Sequence, residues 1–158
     1  MENAPARLRA LPSRLINHVA LVANRVVDRA LAEADARRYH YALLAALEEF
    51  GPASQAALGR RTTIDRSDIV AAVNELAERN LVRREPDPDD KRRNIVTITT
   101  AGARHLAQLD RLLAEAQDEF LAPLSAVDRR RLVDLLSRLI PEETPPMPHP
   151  RTADRPDR

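Results

Sequence analysis

Apolar residues recur at steps of three and four along most of the chain, and this periodicity constrains the fold more than any other feature. A long amphipathic helix is predicted from Ser13 to about Ala34, where the period is carried by Leu15, Val19, Val22 and Val26. Because only 3% of the residues are aromatic and only three are glycine, we expect a core of aliphatic side chains rather than a turn-rich sandwich or barrel. The chain is therefore predicted to be mainly helical.

Seven further elements are predicted from capping residues, helix breakers and changes of period. Helices are expected at about 36–50, 55–61, 66–79, 100–121 and 125–141, and short strands at 81–85 and 94–99. The predicted N-caps are Ser54, Asp65 with Asp68 as a capping-box partner, Thr99, and Ser125 with Asp128. Asn80 stands where a left-handed residue would end a helix. The last helix is expected to bury Leu132, Leu135, Leu136 and Leu139.

The helix predicted at 66–79 has an apolar face and an opposite row of mixed character. Its buried face is expected to consist of Ile69, Val73 and Leu76. Since helical side chains three and four apart share a side, the outward row is Ser67, Val70, Ala71 and Asn74. A short helix, a turn, this helix and a hairpin with a basic tip at 91–93 together predict a winged helix-turn-helix.

Each part of this arrangement suits duplex DNA. A helix fits the major groove, where Ser67 and Asn74 are the available polar side chains, and the N–H groups at its start favour phosphate. A thin hairpin reaches the minor groove, whose negative potential attracts arginine. Arg83 and Arg84 can brace this hairpin by pairing with Asp87 or Asp89. The alternatives are a winged-helix protein-interaction module that does not bind DNA, and an architectural DNA-binding protein without sequence preference.

Other functional classes find little support in the sequence. The chain has no cysteine, no glycine-rich phosphate loop and no nucleophile elbow, so we predict neither an enzyme nor a cofactor. The histidines lack metal-ligand spacing, so no dedicated metal site is predicted, although ligands gathered from separate helices stay open; they are His18, His40, His105 and His149. Because no apolar run is long enough for a membrane span, we expect a soluble, cytoplasmic protein with no membrane partner. The formal net charge of +1 favours no particular partner.

Four stretches of sequence carry a family resemblance, and they are residues 51–58, 64–67, 76–84 and 86–102. The most specific stretch has Asp90, Lys91 and Arg92 at the hairpin tip, followed by a Thr-rich strand end and Ala101-Gly102. With the order of elements over about residues 10–140, these stretches resemble the MarR (multiple antibiotic resistance regulator) family of transcription factors. The resemblance implies a mainly α fold with a small β-hairpin wing, in which a winged helix-turn-helix domain joins long N- and C-terminal dimerisation helices.

The resemblance also implies the residues that contact DNA. Arg92 is the wing arginine expected in the minor groove, and Asp90 is the acid expected to orient it. The candidate DNA-binding set is Ser54, Gln55, Arg66, Ser67, Asp68, Ala71, Asn74, Asp90, Lys91, Arg92 and Arg93. Two positions depart from the family pattern, because Asn80 replaces a glycine and Asp68 replaces a small polar residue.

By resemblance, the function is that of a homodimeric repressor that binds a pseudo-palindromic operator and responds to a small aromatic or phenolic effector. The predicted division is an N-terminal dimerisation helix (1–35), a DNA-binding lobe (36–99), C-terminal dimerisation helices (100–141) and a disordered, proline-rich tail (142–158). Candidate effector-binding residues are Asn17, His18, Arg25, Tyr39 and Tyr41. Simple packing of these amphipathic side chains is the alternative.

Overall fold

The computed structural model describes residues 5–87 and 94–140. The helices within this part of the chain are α1 (Ala6–Arg9), α2 (Pro12–Ala32), α3 (Arg38–Phe50), α4 (Gln55–Thr62), α5 (Arg66–Glu78), α6 (Thr100–Phe120) and α7 (Ala126–Ser137). The strands are β1 (Ala53–Ser54), β2 (Val82–Pro86) and β3 (Asn94–Ile98). The fold is thus mainly α with a small β-hairpin wing, and the winged helix-turn-helix prediction is confirmed. The tail at 142–158, with His149, lies outside the described residues.

The core lies where α3 joins the long helices to the winged lobe. Helices α2 and α6 pack along each other, while α3 contacts α4, α5, α6 and β3. The largest fully buried side chains are all aliphatic: Leu31, Leu43, Leu44, Leu47, Leu58, Ile69, Val73, Leu76, Val96 and Leu109. The expected aliphatic core is confirmed, and its burial fixes α5 against the rest of the lobe.

A three-stranded antiparallel sheet, ordered β1-β3-β2, replaces the predicted two-stranded hairpin. Strands β2 and β3 pair from Val82 opposite Ile98 to Pro86 opposite Asn94, and β1 pairs through Ala53 opposite Val96. The sequence did not indicate β1, because two residues are too short to show the alternation that marks a strand. Val96 is fully buried, as the predicted alternation along β3 requires.

Three of the predicted helix caps are confirmed. The hydroxyl oxygens of Ser54, Thr99 and Ser125 accept hydrogen bonds from the backbone N–H groups three residues later, at 3.3, 3.0 and 3.2 Å. Each hydroxyl satisfies a donor that has no partner within the helix. These local signals therefore set where α4, α6 and α7 begin.

The capping box predicted at the start of α5 was wrong. Asp65 occupies the N-cap position, but its side chain makes no capping hydrogen bond. Its backbone carbonyl instead accepts hydrogen bonds from the N–H groups of Asp68 and Ile69, at 3.1 and 3.0 Å, and so satisfies these donors without the carboxylate. At the other end of the helix, Asn80 has a φ of 56°, which confirms the left-handed geometry expected there.

The predicted burial of the last helix was wrong for a single chain. Helix α7 has no fully buried residue, and Leu135, Leu136 and Leu139 are exposed while Leu132 is half-buried. Apolar side chains in the first half of α2 are exposed in the same way, and they include Leu15, Ile16, Val19 and Val22. Apolar periodicity reveals that a helix has a face to cover, but not which molecule covers it. No element among the described residues covers these two faces.

Candidate nucleic-acid interface

Helix α5 presents the outward row that its sequence predicts. Its buried side chains are Ile69, Ala72, Val73 and Leu76, which pack against the lobe. On the opposite side Ser67, Val70 and Ala71 are exposed and Asn74 is half-buried. The row is thus accessible to a large ligand, while the apolar face packs the helix against the lobe.

The turn between α4 and α5 fixes the position of this row. Thr63 adopts a left-handed conformation with a φ of 53°, which is uncommon for a β-branched residue. Thr62 donates a hydrogen bond from its hydroxyl to the Leu58 carbonyl at 2.8 Å, which closes the end of α4. Since Leu58 and Ile69 are both buried on the two sides of the turn, packing of α4 against α5 holds the turn in this geometry.

The N-terminal end of α5 brings several candidate residues together. Arg66 and Ser67 are exposed, whereas Asp68 is half-buried. Burial raises the pKa of the Tyr39 phenol above its usual 10.0, and the negative charge of Asp68 raises it further. The carboxylate of Asp68 therefore acts electrostatically on Tyr39 of α3. It also lies at the start of α5, where the helix dipole favours negative charge.

The two remaining candidates in this region lie at the start of α4. Ser54 is half-buried and its hydroxyl serves as the N-cap of α4, as described above. Gln55, the first residue of the helix, is also half-buried. Both lie at the start of the helix that precedes the turn, and in DNA-binding helix-turn-helix proteins that helix crosses the phosphate backbone.

A hydrogen bond between two side chains joins strand β2 to the outward row of α5. Arg84 donates a hydrogen bond from Nη1 to Oδ1 of Asn74, at 2.7 Å. Its neighbour Arg83 instead lies 3.5 Å from Glu85 on the same strand. From the sequence, both arginines were predicted to pair with acids of the hairpin. The contact between Arg84 and α5 was not predicted. Asp89, one of those acids, lies outside the described residues.

The predicted basic tip of the wing falls between β2 and β3 in the sequence. Asp90, Lys91, Arg92 and Arg93 lie outside the described residues, and their predicted roles stay predictions. The strands that lead to them are described as far as the pair Pro86 and Asn94.

A buried histidine on α3 contacts α5. His40 is only 4% exposed, and its Nδ1 accepts a hydrogen bond from the Arg37 backbone N–H at 3.3 Å. Its Nε2 lies 3.0 Å from Oε2 of Glu75 on α5, and the Arg37 guanidinium lies 3.2 Å from the other Glu75 oxygen. Because Nδ1 accepts, the neutral imidazole carries its proton on Nε2 and donates it to Glu75. The sequence located His40 on a helix but carried no signal for this partner.

Burial shifts the titration of two histidines in this region. Burial lowers the pKa of His40 below its usual 6.5, although the neighbouring Glu75 carboxylate acts in the opposite direction. Burial also lowers the pKa of His105 on α6, and the positive charge of Arg79 lowers it further. In the folded protein both side chains therefore favour the neutral form.

We expect the free energy of unfolding to fall as the pH drops below about 6.5, because the unfolded chain then binds protons that folded His40 and His105 resist. Above that pH both states are neutral at these sites and the contribution disappears. Chemical denaturation at one protein concentration and several pH values measures the slope of the free energy of unfolding against pH. The variant His40→Gln should flatten this dependence on pH. An unchanged slope in His40→Gln would contradict the assignment.

The five candidate effector-binding residues are not gathered in one place within the single chain. Asn17 and His18 line a groove of about 480 Å³ between α1 and the first half of α2, which does not include the other three. Tyr41 donates a hydrogen bond to Asp110 on α6 at 3.0 Å, and Tyr39 packs against the core of the lobe. Arg25 is exposed on α2. The effector site therefore stays a prediction.

Residues 5–87 and 94–140 lack two further features. No group of three or more His, Asp or Glu side chains there could hold a metal ion. No helix in the same ranges is both long enough and apolar enough to cross a membrane.

Comparison with known proteins decides the family. A model of the MarR family matches residues 36–93, which include α3, α4, α5 and β2 and end just before β3. A crystal structure of a probable transcriptional regulator from Pseudomonas aeruginosa is 32% identical, covers 84% of this chain and 99% of its own, and superimposes with a TM-score of 0.75. The chain belongs to the MarR family. The resemblance noted in the sequence is thereby confirmed.

Two more relatives extend the comparison of this MarR-family chain. A protein of Thauera aromatica described as a putative transcriptional regulatory protein for the hcr operon is 36% identical over 104 residues. The match covers 66% of this chain and 63% of that relative's length. The PcaV transcriptional regulator of Streptomyces coelicolor, solved with its natural ligand, is 29% identical, covers 86% of this chain and 96% of its own, and has a TM-score of 0.73.

Proposed function

We propose that this protein is a homodimeric repressor of MarR type that occupies pseudo-palindromic operator DNA. The observation that carries the proposal is the outward side of α5, where Ser67, Ala71 and Asn74 lie beside the strand that leads to a basic wing tip. A helix in the major groove with a wing in the neighbouring minor groove would use both features at once. Such occupancy blocks transcription directly.

Dimerisation would supply the second DNA-binding lobe. Two recognition helices on one face of a duplex must stand about 34–36 Å apart to enter successive major grooves. A single chain offers one such helix, and it also leaves the apolar faces of α2 and α7 exposed. Pairing these faces with those of a second copy would bury them and set the spacing of the two lobes.

The wing and the start of α5 would contribute charged contacts. Arg92 is proposed to enter the minor groove with Asp90 as its orienting partner, while Lys91 and Arg93 contact the backbone. Arg66 is exposed at the first turn of α5, where phosphate is also favoured by the unpaired backbone N–H groups. These contacts supply affinity, whereas Ser67, Ala71 and Asn74 supply sequence preference.

A small aromatic or phenolic effector would modulate DNA binding by preferring one dimer shape over another. The PcaV regulator binds a natural ligand, which supports an effector for the present chain as well. The proposed site is the cleft between the dimer helices and the lobe, with Asn17, His18 and Arg25 from α2 and Tyr39 and Tyr41 from α3. Completing it would require the second subunit, because one chain leaves these residues apart.

The proposal is tested by selecting bound fragments from a random DNA pool and measuring affinity for the selected duplex by fluorescence anisotropy. We expect a two-fold symmetric consensus and an affinity that falls steeply with salt, by a logarithmic slope of about 0.9 per neutralised phosphate. Arg92→Ala should lower affinity by at least about tenfold without changing the mass of the dimer. The control is Arg111→Ala, an equal loss of charge at an exposed position on α6.

Two results would overturn the proposal. If the folded dimer enriches no fragment, the protein-interaction module becomes the better description. If it binds selected and random duplexes equally, it is an architectural DNA-binding protein.

A further inference from the structure

We propose that Arg84 sets the base preference of Asn74, so that this pair favours guanine over adenine at its position in the operator. Arg84 is a positioning residue here, since it acts through Asn74. The inference rests on the proposed function, because it requires α5 to lie in the major groove. It goes beyond that function by naming the chemistry of one base contact.

The contact joins two elements that are separate in the fold. Nη1 of Arg84 on β2 lies 2.7 Å from Oδ1 of Asn74, which belongs to the outward row of α5. A guanidinium group has only donors, so the amide atom it meets has to be the oxygen and not the nitrogen. The orientation of the Asn74 amide is thus fixed by the chemistry of its partner. A charged donor at this distance makes a strong hydrogen bond.

This orientation determines what Asn74 offers to a base. An asparagine recognises adenine by two hydrogen bonds, in which Oδ1 accepts from N6 and Nδ2 donates to N7. We take the bond to Arg84 to keep Oδ1 directed at β2 in the complex, which leaves Nδ2 as the amide group available to a base edge. The other guanidinium N–H groups can only donate, so the pair would present donors alone.

Donors alone match guanine better than adenine. Guanine presents two acceptors in the major groove, N7 and O6, whereas adenine presents one acceptor and the N6 amino donor. When a protein donor faces the N6 amino group of adenine, neither donor has an acceptor. Two unpaired donors are costly at a desolvated interface. Asn74 is half-buried, and this burial restricts how far its amide can turn away from Arg84.

The same strand contains a matched control. Arg83 and Arg84 are consecutive and both exposed, but successive side chains of a strand point to opposite faces. Arg83 lies 3.5 Å from Glu85, two residues along the same strand face. Arg83→Met therefore matches the loss of one positive charge in Arg84→Met, while it leaves the contact with Asn74 in place.

The experiment compares the selected sequences and relative affinities of the native protein and the variants Arg84→Met, Arg83→Met and Arg84→Lys. The base pair that Asn74 contacts is located first, as the position whose preference Asn74→Ala flattens. We expect guanine there in the native protein, and a shift towards adenine of at least about fivefold in relative affinity in Arg84→Met. Arg83→Met should keep the guanine preference, and so should Arg84→Lys, because an ammonium group also donates to Oδ1.

A double variant separates positioning from a direct contact. With Asn74→Ala already present, Arg84→Met should change affinity but not base preference, because the amide it positions is gone. If Arg84→Met and Arg83→Met lower affinity alike and leave the base preference unchanged, Arg84 acts on phosphate alone and the inference is wrong. Adenine preferred by the native protein at the Asn74 position overturns it as well. Failure to select any symmetric sequence would overturn the proposed function itself, and is distinguishable from these results.

Discussion

Replacing Gly102 with alanine should destabilise the fold by about 2 kcal/mol or more, although alanine is the better helix former. A Cβ atom at this position would overlap the Leu81 carbonyl oxygen and lie 2.8 Å from Cγ1 of Ile98. The Leu81 carbonyl cannot retreat freely, because it accepts hydrogen bonds from the backbone N–H and the hydroxyl of Thr99, at 3.0 and 3.1 Å. The gain in helix propensity is only about 1 kcal/mol, so the steric clash dominates.

The matched control is Gly59→Ala, which makes the same chemical change inside α4. There a Cβ would lie 3.4 Å from the Ile64 carbonyl oxygen and 3.8 Å from Ile69, both ordinary contacts. We expect this variant to be neutral or to gain up to about 1 kcal/mol. Urea denaturation followed by circular dichroism, at one protein concentration, measures the free energy of unfolding of both variants. Equal stability of Gly102→Ala and the native protein would contradict the close approach of α6 to the sheet.

Placing a charge at Val133, an exposed apolar position on α7, should dissociate the proposed dimer. Val133 is 61% exposed in the single chain, so Val133→Glu should leave the fold of one subunit intact. In a two-fold interface the substitution occurs twice, and each carboxylate would be buried without a partner. We expect the dissociation constant to rise on the order of a hundredfold or more. Light scattering coupled to size-exclusion chromatography measures the mass, and circular dichroism the helix content.

The control for this substitution is Val133→Ile, which keeps the surface apolar at the same site and should remain dimeric. Loss of operator binding in Val133→Glu but not in Val133→Ile would link dimerisation to DNA binding. A Val133→Glu protein that retains the native dimer mass would show that this part of α7 lies outside the interface.

Local sequence signals were sufficient to predict most of the helices and strands. The caps at Ser54, Thr99 and Ser125 depend on a hydroxyl and a backbone N–H three residues apart, and a short stretch of sequence contains both. The same holds for the left-handed residue Asn80 at the end of α5. Even here a local signal failed once, when the Asp65 carbonyl made the hydrogen bonds that its carboxylate was expected to make.

The amino-acid sequence by itself determined the helical and strand periods, the winged helix-turn-helix order and the outward row of α5, because each follows from the spacing of neighbouring residues. Only the tertiary structure decided that Arg84 contacts Asn74, that His40 meets Glu75, and that α6 approaches Leu81 too closely for any side chain at Gly102. Such contacts join residues from different elements, and their partners depend on how helices and sheet pack in three dimensions. A one-dimensional pattern carries no distance between them.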